Sequence, residues 1–505
     1  MKKAALIIML LSIFSKIFGF ARDVILSYFY GASNISDAYL IALTIPSVIF
    51  SFIGTGIATG YIPMYSKIEG MEGSLKSDKY TNNLVNFLLI FCTAIIIISL
   101  IFTNSIVKLF ASGFEGSTLN LTVHFTQISL IGIYFTMLIS IFNGYLQLKG
   151  NFIISTLSNF PLHIFTILAI LLSTKYNINI LVIGTVFATI SQFVIMIPFI
   201  LKNGYKYQAF LDIRDKHIKD MALLALPLIL GVSVNQINLL IDRTLASQIA
   251  EGGISVLNYA NRLSWFVEGV FVLSIATVMY PKISKMVVEK NIIGLKNSVG
   301  ESITAVNLLV VPAAVGSIIY SEQIVSLLFG RGEFNNAAIN MTSSALMFYS
   351  LGMIGSGLRE ILARTFYSLQ DTKTPMGNAV IALVINIILS IILSKFMGVS
   401  GLALASSTAA IVTSTLLIFS LRKKIGSFGL KHISINFIKI LCSSILMGIF
   451  SKVCFELTKL HVNQYISLGV SIVVGVLIYF FLVIFLKIDS ANYLLAVMKN
   501  KKRGK

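Results

Sequence analysis

Apolar runs of about 20 residues, the length a helix needs to cross the hydrocarbon layer of a bilayer, recur along nearly the whole chain between short polar stretches. The pattern predicts fourteen membrane-spanning helices, at about 4–30, 38–60, 84–103, 124–146, 152–174, 179–201, 218–241, 254–281, 302–328, 338–367, 377–396, 400–421, 433–455 and 463–487. An even number puts both termini on one side. A cleavable leader is the alternative for the first run, because Lys2 and Lys3 precede it. That run continues through Lys16, Arg22 and Asp23 to Tyr30 without a small-residue cleavage pattern, which favours a first spanning helix. The expected fold class is an all-α polytopic membrane protein.

Charged positions inside these runs are the informative exceptions. An arginine or lysine near the bilayer centre costs roughly 2.5–3.5 kcal/mol on an insertion scale, so such residues usually face a cavity or an ion partner. The first span carries Lys16, Gly19, Arg22 and Asp23 on one face, with Lys16 and Asp23 only about 20° apart at 3.6 residues per turn. Cations exceed anions there, which suits an anionic ligand; a salt bridge between helices is the bland alternative, with Asp23 free to pair across. The eighth span brings in Arg262, followed by Glu268 on another face. The tenth ends in Arg359, Glu360 and Arg364. Glu360 and Arg364 are spaced to neutralise each other, which leaves Arg359 to meet a substrate. Asn235, Gln236 and Asn238 in the seventh span read as interhelical hydrogen-bonding groups. Asp37, at the mouth of the second span, reads as a gating residue or a helix cap. Gly54, Gly56 and Gly60 allow that helix to bend or to pack closely.

Composition agrees with a chain that lives in lipid: 56% of the 505 residues are hydrophobic and only 12% charged, against roughly 25% charged in an ordinary soluble domain. The net charge of +19 would suit nucleic acid if it were gathered on one face, but it follows the loops. With the termini inside, inner loops and tails hold 25 of the 39 Lys and Arg, and outer loops hold seven. This positive-inside bias predicts cytoplasmic termini and argues against a nucleic-acid partner. The tail containing Lys499, Lys501, Lys502, Arg503 and Lys505 reads as a topology signal and a contact for anionic lipid. Cys92, Cys442 and Cys454 show no metal-ligand spacing, the histidines are dispersed, and no GxxxxGK[ST] stretch exists to hold a nucleotide. The expectation is a transporter with neither cofactor nor hydrolytic site.

Two stretches match at an offset of 218 residues: IATGYIPMYSKI at 57–68 and IATVMYPKISKM at 275–286. The offset aligns Ala58 with Ala276, Thr59 with Thr277, Pro63 with Pro281, Ser66 with Ser284 and Lys67 with Lys285. Both fall at the inner end of the second helix of a six-helix set. The expected organisation is a bundle at 1–201, a cytoplasmic linker at 202–217, a second bundle at 218–421, and two further helices with a basic tail at 422–505. Repeats of like orientation imply alternating access between the bundles.

At 14–47 the chain reads FSKIFGFARDVILSYFYGASNISDAYLIALTIPS, followed by LIDRTLAS at 240–247, LNYANRL at 257–263, LLFGRGEF at 327–334 and ARTFYSLQDTKTP at 363–375. This ordered set resembles the MurJ/MviN family, the lipid II flippases of bacterial peptidoglycan synthesis, within the superfamily of multidrug and polysaccharide exporters. The resemblance implies movement of a lipid-linked disaccharide-pentapeptide from the inner to the outer leaflet of the bacterial cytoplasmic membrane. It implies that cavity cations hold the diphosphate and that the last two helices border a groove for the lipid tail. By motif position, the family's cavity residues fall on Lys16, Arg22, Asp23, Asp37 and Arg262. Lys16 replaces an arginine and loses its bidentate fork. Phe50 and Ser51 stand where the family commonly has two arginines, and Thr55 stands at an acidic place. Arg359 is the candidate replacement. The expected partners are the lipid-linked precursor and membrane lipids, for a monomeric protein that the membrane potential or a monovalent cation could couple. The alternatives are a flippase for another polyprenyl-linked glycan, a cation-coupled multidrug exporter and a non-transporting scaffold.

Overall fold

The computed structural model describes residues 2–488, which places the basic tail outside the described part. All of its regular structure is helical among the described residues. The first three helices are α1 (Lys2–Tyr30), α2 (Asn34–Glu72) and α3 (Ser74–Ile101), followed by the short α4 (Thr103–Phe110). Next come α5 (Gly116–Ser129), α6 (Gly132–Leu148), α7 (Phe152–Leu157), α8 (Asn159–Ser173) and α9 (Asn179–Lys202). The central helices are α10 (Lys216–Ile249), α11 (Gly253–Val288), α12 (Ile292–Ile319) and α13 (Ser321–Leu328). The chain continues through α14 (Asn336–Ser368), α15 (Lys373–Met397), α16 (Val399–Ile425), α17 (Leu430–Lys459) and α18 (Gln464–Phe485).

Among the described residues eleven helical segments are long and apolar enough to cross a membrane, and two bent pairs bring the number to thirteen. The chain is therefore an all-α, multi-span membrane protein. Its helices depart from the sequence expectation in instructive places. The inner stretch 61–83 is not a loop, because α2 runs on to Glu72 and α3 begins at Ser74, on either side of Gly73 at φ +88°. The expected span 302–328 is two helices, α12 and α13, broken at Tyr320 (φ −108°, ψ 18°). The fourth span bends by 41° between α5 and α6. Within α10 the axis turns by 49° between Ile229 and Gly231, just after Pro227, whose missing N–H removes one rung of the helix.

The described residues fall into two compact units: 2–255 with Arg331–Asn335, and Val256–Gly330 with 336–488. In the first unit α10 packs along α2, where glycines permit the approach. A Cβ on Gly60 would stand 2.3 Å from Met221 Cγ, and one on Gly56 would stand 3.3 Å from Ala225 Cβ. Small residues drive such packing because lipid gives no hydrophobic reward for helix association. The stretch 202–217 is no slack tether either. Asn82, Asn83 and Asn86 on α3 clamp its backbone. Asn82 donates to the Lys206 carbonyl and accepts from Gln208 N and the Tyr205 hydroxyl at 2.7–3.1 Å. Asn83 donates to Asp212 O and to Asp215, and accepts from Asp212 N, at 2.7–3.0 Å. Asn86 donates to Gln208 O and Phe210 O.

In the second unit α17 and α18 pack together, and α17 lies on α12. Tyr479 of α18 donates its hydroxyl to the Leu308 carbonyl of α12 at 2.7 Å. The outer faces of α15 and α18 remain strongly exposed and apolar, with Phe396 82% and Phe485 72% accessible, as lipid-facing surfaces are. The matched segments also behave alike. Pro63 lies inside α2 and Pro281 inside α11, while the aligned Thr59 and Thr277 hydroxyls donate four residues back, to Thr55 O and Leu273 O.

Candidate functional site

In the first unit the polar face of α1 is built against α8. A Cβ on Gly19 would stand 3.2 Å from the His163 ring, and the Ser15 hydroxyl lies 3.4 Å from His163 Nε2. One turn further on, Arg22 folds back onto its neighbour Asp23. Arg22 Nε and Nη2 both donate to Asp23 Oδ1, at 3.0 and 2.7 Å. Asp23 is buried, whereas the Arg22 side chain keeps 22% of its surface accessible. Lys16, two turns before, is exposed. The face thus offers one exposed ammonium and one guanidinium held by its neighbour. An anion can engage the first directly and must compete with Asp23 for the second.

Asp37 is not a helix cap. Ser33 caps α2 and forms a capping box with Ser36. Asp37 instead lies buried one turn in, where its Oδ1 accepts from Ser255 N at 2.7 Å and from Ser255 Oγ at 2.5 Å. Ser255 stands 218 residues after Asp37. Arg243 supports the same corner by donating to the Ile254 carbonyl at 3.0 Å.

Along α2, the positions that depart from the family pattern are spent within the helix. Ser51 donates to Val48 O and Thr55 to Ser51 O, both at 2.7 Å. The Phe50 ring lies over Gly54, where a Cβ would come within 2.8 Å of it. Gly54 thereby accommodates an aromatic ring, and Gly56 serves the α10 contact already described.

The second unit holds Arg262, Glu268, Arg359, Glu360 and Arg364. Arg262 and Arg359 are exposed. Arg364 Nε donates to Glu360 Oε1 at 2.7 Å, and its guanidinium lies 6.0 Å from the Tyr280 ring centroid. Glu268 of α11 faces Ser356 and feels the charges of Arg359 and Glu360 on α14. Arg359 therefore has an acidic neighbour that the sequence, with Glu268 some ninety residues earlier, did not single out. No group of three or more His, Cys, Asp or Glu among the described residues is arranged to hold a metal.

A family model described as lipid II flippase MurJ matches residues 26–488. That range includes Asp37 and Arg262 and begins just after Lys16, Arg22 and Asp23. The lipid II flippase MurJ of Thermosipho africanus is 30% identical over 467 residues, covering 92% of each chain. The probable lipid II flippase MurJ of Vibrio cholerae is 28% identical over 431 residues, 82% of each. A solved lipid II flippase MurJ in an inward closed conformation superposes with a TM-score of 0.82 at 29% identity, covering 95% of this chain and 98% of that one. An inward-facing multidrug resistance MATE transporter shares the fold, with a TM-score of 0.72 at 15% identity over 84% of this chain and 98% of that one. On these grounds the chain belongs to the MurJ family of lipid II flippases.

Proposed function

We propose that this chain moves lipid II, the undecaprenyl-diphosphate-linked peptidoglycan precursor, from the inner to the outer leaflet of the bacterial cytoplasmic membrane. The observation that carries the reading is the family match over residues 26–488. The protein acts as a transporter and performs no hydrolysis.

The spans number fourteen: the thirteen counted above, with α1 added as a 29-residue helix with a polar face. Both termini are cytoplasmic, as the excess of basic residues in the inner loops supports. Residues 1–201 and 218–421 alternate access, with the aligned Pro63 and Pro281 as the support for duplication. Lys16 and Arg22, together with Arg262, take the diphosphate by charge-assisted hydrogen bonds. Arg359 serves the cargo from the inner side, while α17 and α18 border its hydrocarbon chain. Coupling to the membrane potential fits a cycle that moves charge, since one elementary charge across 100 mV is worth about 2.3 kcal/mol.

The test is headgroup-resolved flipping in proteoliposomes with lipid II, another polyprenyl-linked glycan and an organic cation as cargoes. Replacing Lys16, Arg22 and Arg262 with glutamine should abolish lipid II movement while expression and insertion persist. Undiminished transport by the triple variant would sink the anion site. The uncharged Phe50, Ser51 and Thr55 favour a second reading, in which another lipid-linked glycan is the preferred cargo; its selective movement would establish that reading.

A further inference from the structure

The second unit contains a cavity of about 390 Å³, lined by both apolar and polar side chains, that the flipping site does not use. It lies where the start of α12 meets the turn between α16 and α17, and Lys296, Glu301, Thr304, Ser427, His432 and Asn436 line it. Its volume falls within the range of about 300–1,000 Å³ typical of ligand pockets. The α16–α17 turn is shaped by two glycines in the left-handed region, Gly426 at φ +81° and Gly429 at φ +79°. The ammonium of Lys296 sits over the first of them, 3.2 Å from where a Cβ on Gly426 would stand. The N-cap of α17 is Gly429, so no side chain caps that helix start. Its first-turn amides therefore keep their donor capacity and the positive end of the helix dipole beside the cavity.

The other charges sort themselves. Glu301 is turned to Lys282, with Nζ to Oε2 at 3.3 Å. Lys439, further along α17, is committed to the Leu486 carbonyl at 3.1 Å. Lys424 is bound to Asp371. Asn436, buried beneath the cavity, hydrogen-bonds His432 at 3.2 Å. Facing the space are the Lys296 ammonium, the amino terminus of α17 and the Thr304 and Ser427 hydroxyls, together with Glu301, whose charge is drawn outward to Lys282. Such a set is complementary to a singly charged phosphodiester with polar substituents. The neighbouring Arg422, Lys423 and Lys431 are exposed and would meet the anionic leaflet around it.

We infer that this cavity binds the headgroup of an anionic bilayer phospholipid, a site separate from the one that takes the cargo. Its position at the cytoplasmic surface rests on the topology proposed above; its chemistry does not.

The test is a native mass spectrometry titration of the full chain in detergent with short-chain phosphatidylglycerol, phosphatidylcholine of equal chain length, and inorganic phosphate. A lysine contributes about 1 kcal/mol to anionic-lipid binding near a membrane surface, which is about a five-fold change in affinity. Lys296→Gln should weaken phosphatidylglycerol binding about five-fold and leave phosphatidylcholine unchanged. Lys296→Arg should retain binding, and Lys423→Gln and Lys431→Gln should change it less than two-fold. Equal losses from the exposed-lysine variants would mean diffuse attraction and overturn the site. Displacement of the lipid by equimolar inorganic phosphate would make it a phosphate site and overturn the lipid. Unchanged binding in Lys296→Gln, or equal loss in Lys296→Arg at an unaltered melting temperature, would also overturn it. The titration needs neither flipping nor orientation, so failure of the proposed transport activity would leave its result intact.

Discussion

Asp23→Asn tests how the cation on α1 is kept releasable. In the wild type, Arg22 spends two donors on one carboxylate oxygen, at 3.0 and 2.7 Å, beside a buried acid. Hydrogen bonds to charged groups contribute about 1.5–3 kcal/mol each and neutral ones about 0.5–1.5. Asparagine preserves the shape and one acceptor oxygen, so the hold on Arg22 falls by about 1–3 kcal/mol across the two bonds. A cargo diphosphate no longer has to outcompete a carboxylate for the guanidinium, and its affinity should rise by about five- to a hundred-fold. A site that binds more tightly in one state releases less readily, so turnover should fall. Affinity is read by titrating the detergent-solubilised protein with a short-chain polyprenyl diphosphate, and turnover by flipping in proteoliposomes. Weaker diphosphate binding in Asp23→Asn, with folding intact, would show that the carboxylate orients Arg22 for the cargo rather than competing with it, and the argument would fail.

Asn83→Ala removes three hydrogen bonds to 212–215, and at about 1 kcal/mol each should open that stretch by up to about a hundred-fold in amide exchange; exchange as slow as in the wild type would refute the clamp. Gly355→Ala places a Cβ 2.6 Å from Ile411 N and 2.7 Å from Ala410 C; because backbone cannot swing aside, the detergent-solubilised protein should lose about 1–3 kcal/mol, read as a lowered Tm, and an unaltered Tm would show that α14 and α16 can separate freely. Asp371, in the turn between α14 and α15, is held down to about 2 by its hydrogen bond from Lys424, with the Thr374 amide adding to this. Its folded value lies below the unfolded one near 3.9, so the closure it gives is complete above about pH 5 and lost as pH falls from about 4 to 2; amide exchange of 369–374 should follow that profile, and Asp371→Asn should flatten it.

Hydropathy made the spans legible because a bilayer imposes a one-dimensional rule on length and apolarity. The Glu360–Arg364 spacing was legible for a similar reason, since a helix puts those residues on one face. Contacts between distant helices were not. Arg22 turning to its own neighbour depends on rotamers that sequence spacing does not determine. Glu268 meeting Arg359 depends on how α11 and α14 pack. The Asn82, Asn83 and Asn86 cluster reads as ordinary hydrophilic sequence at a helix start, and only the fold reveals that its partners are backbone groups more than 120 residues away. Asp37 is intermediate: its place at the mouth of the second span was legible, but its partner Ser255 was not.

The asparagine clamp also bears on where this protein can be rebuilt. A polar inner stretch such as 202–217 is the natural choice for grafting a fluorescent domain or a protease site, yet its backbone between Tyr205 and Asp215 is tied down at successive carbonyls and amides. Tolerance of an insertion follows the hydrogen bonding of the backbone it interrupts rather than the polarity of the sequence. The hairpin tip between α2 and α3 suits a graft better: Met71 and Leu75 are 75% and 87% accessible, and no atom lies within 4 Å of a Cβ added to Gly70 or Gly73.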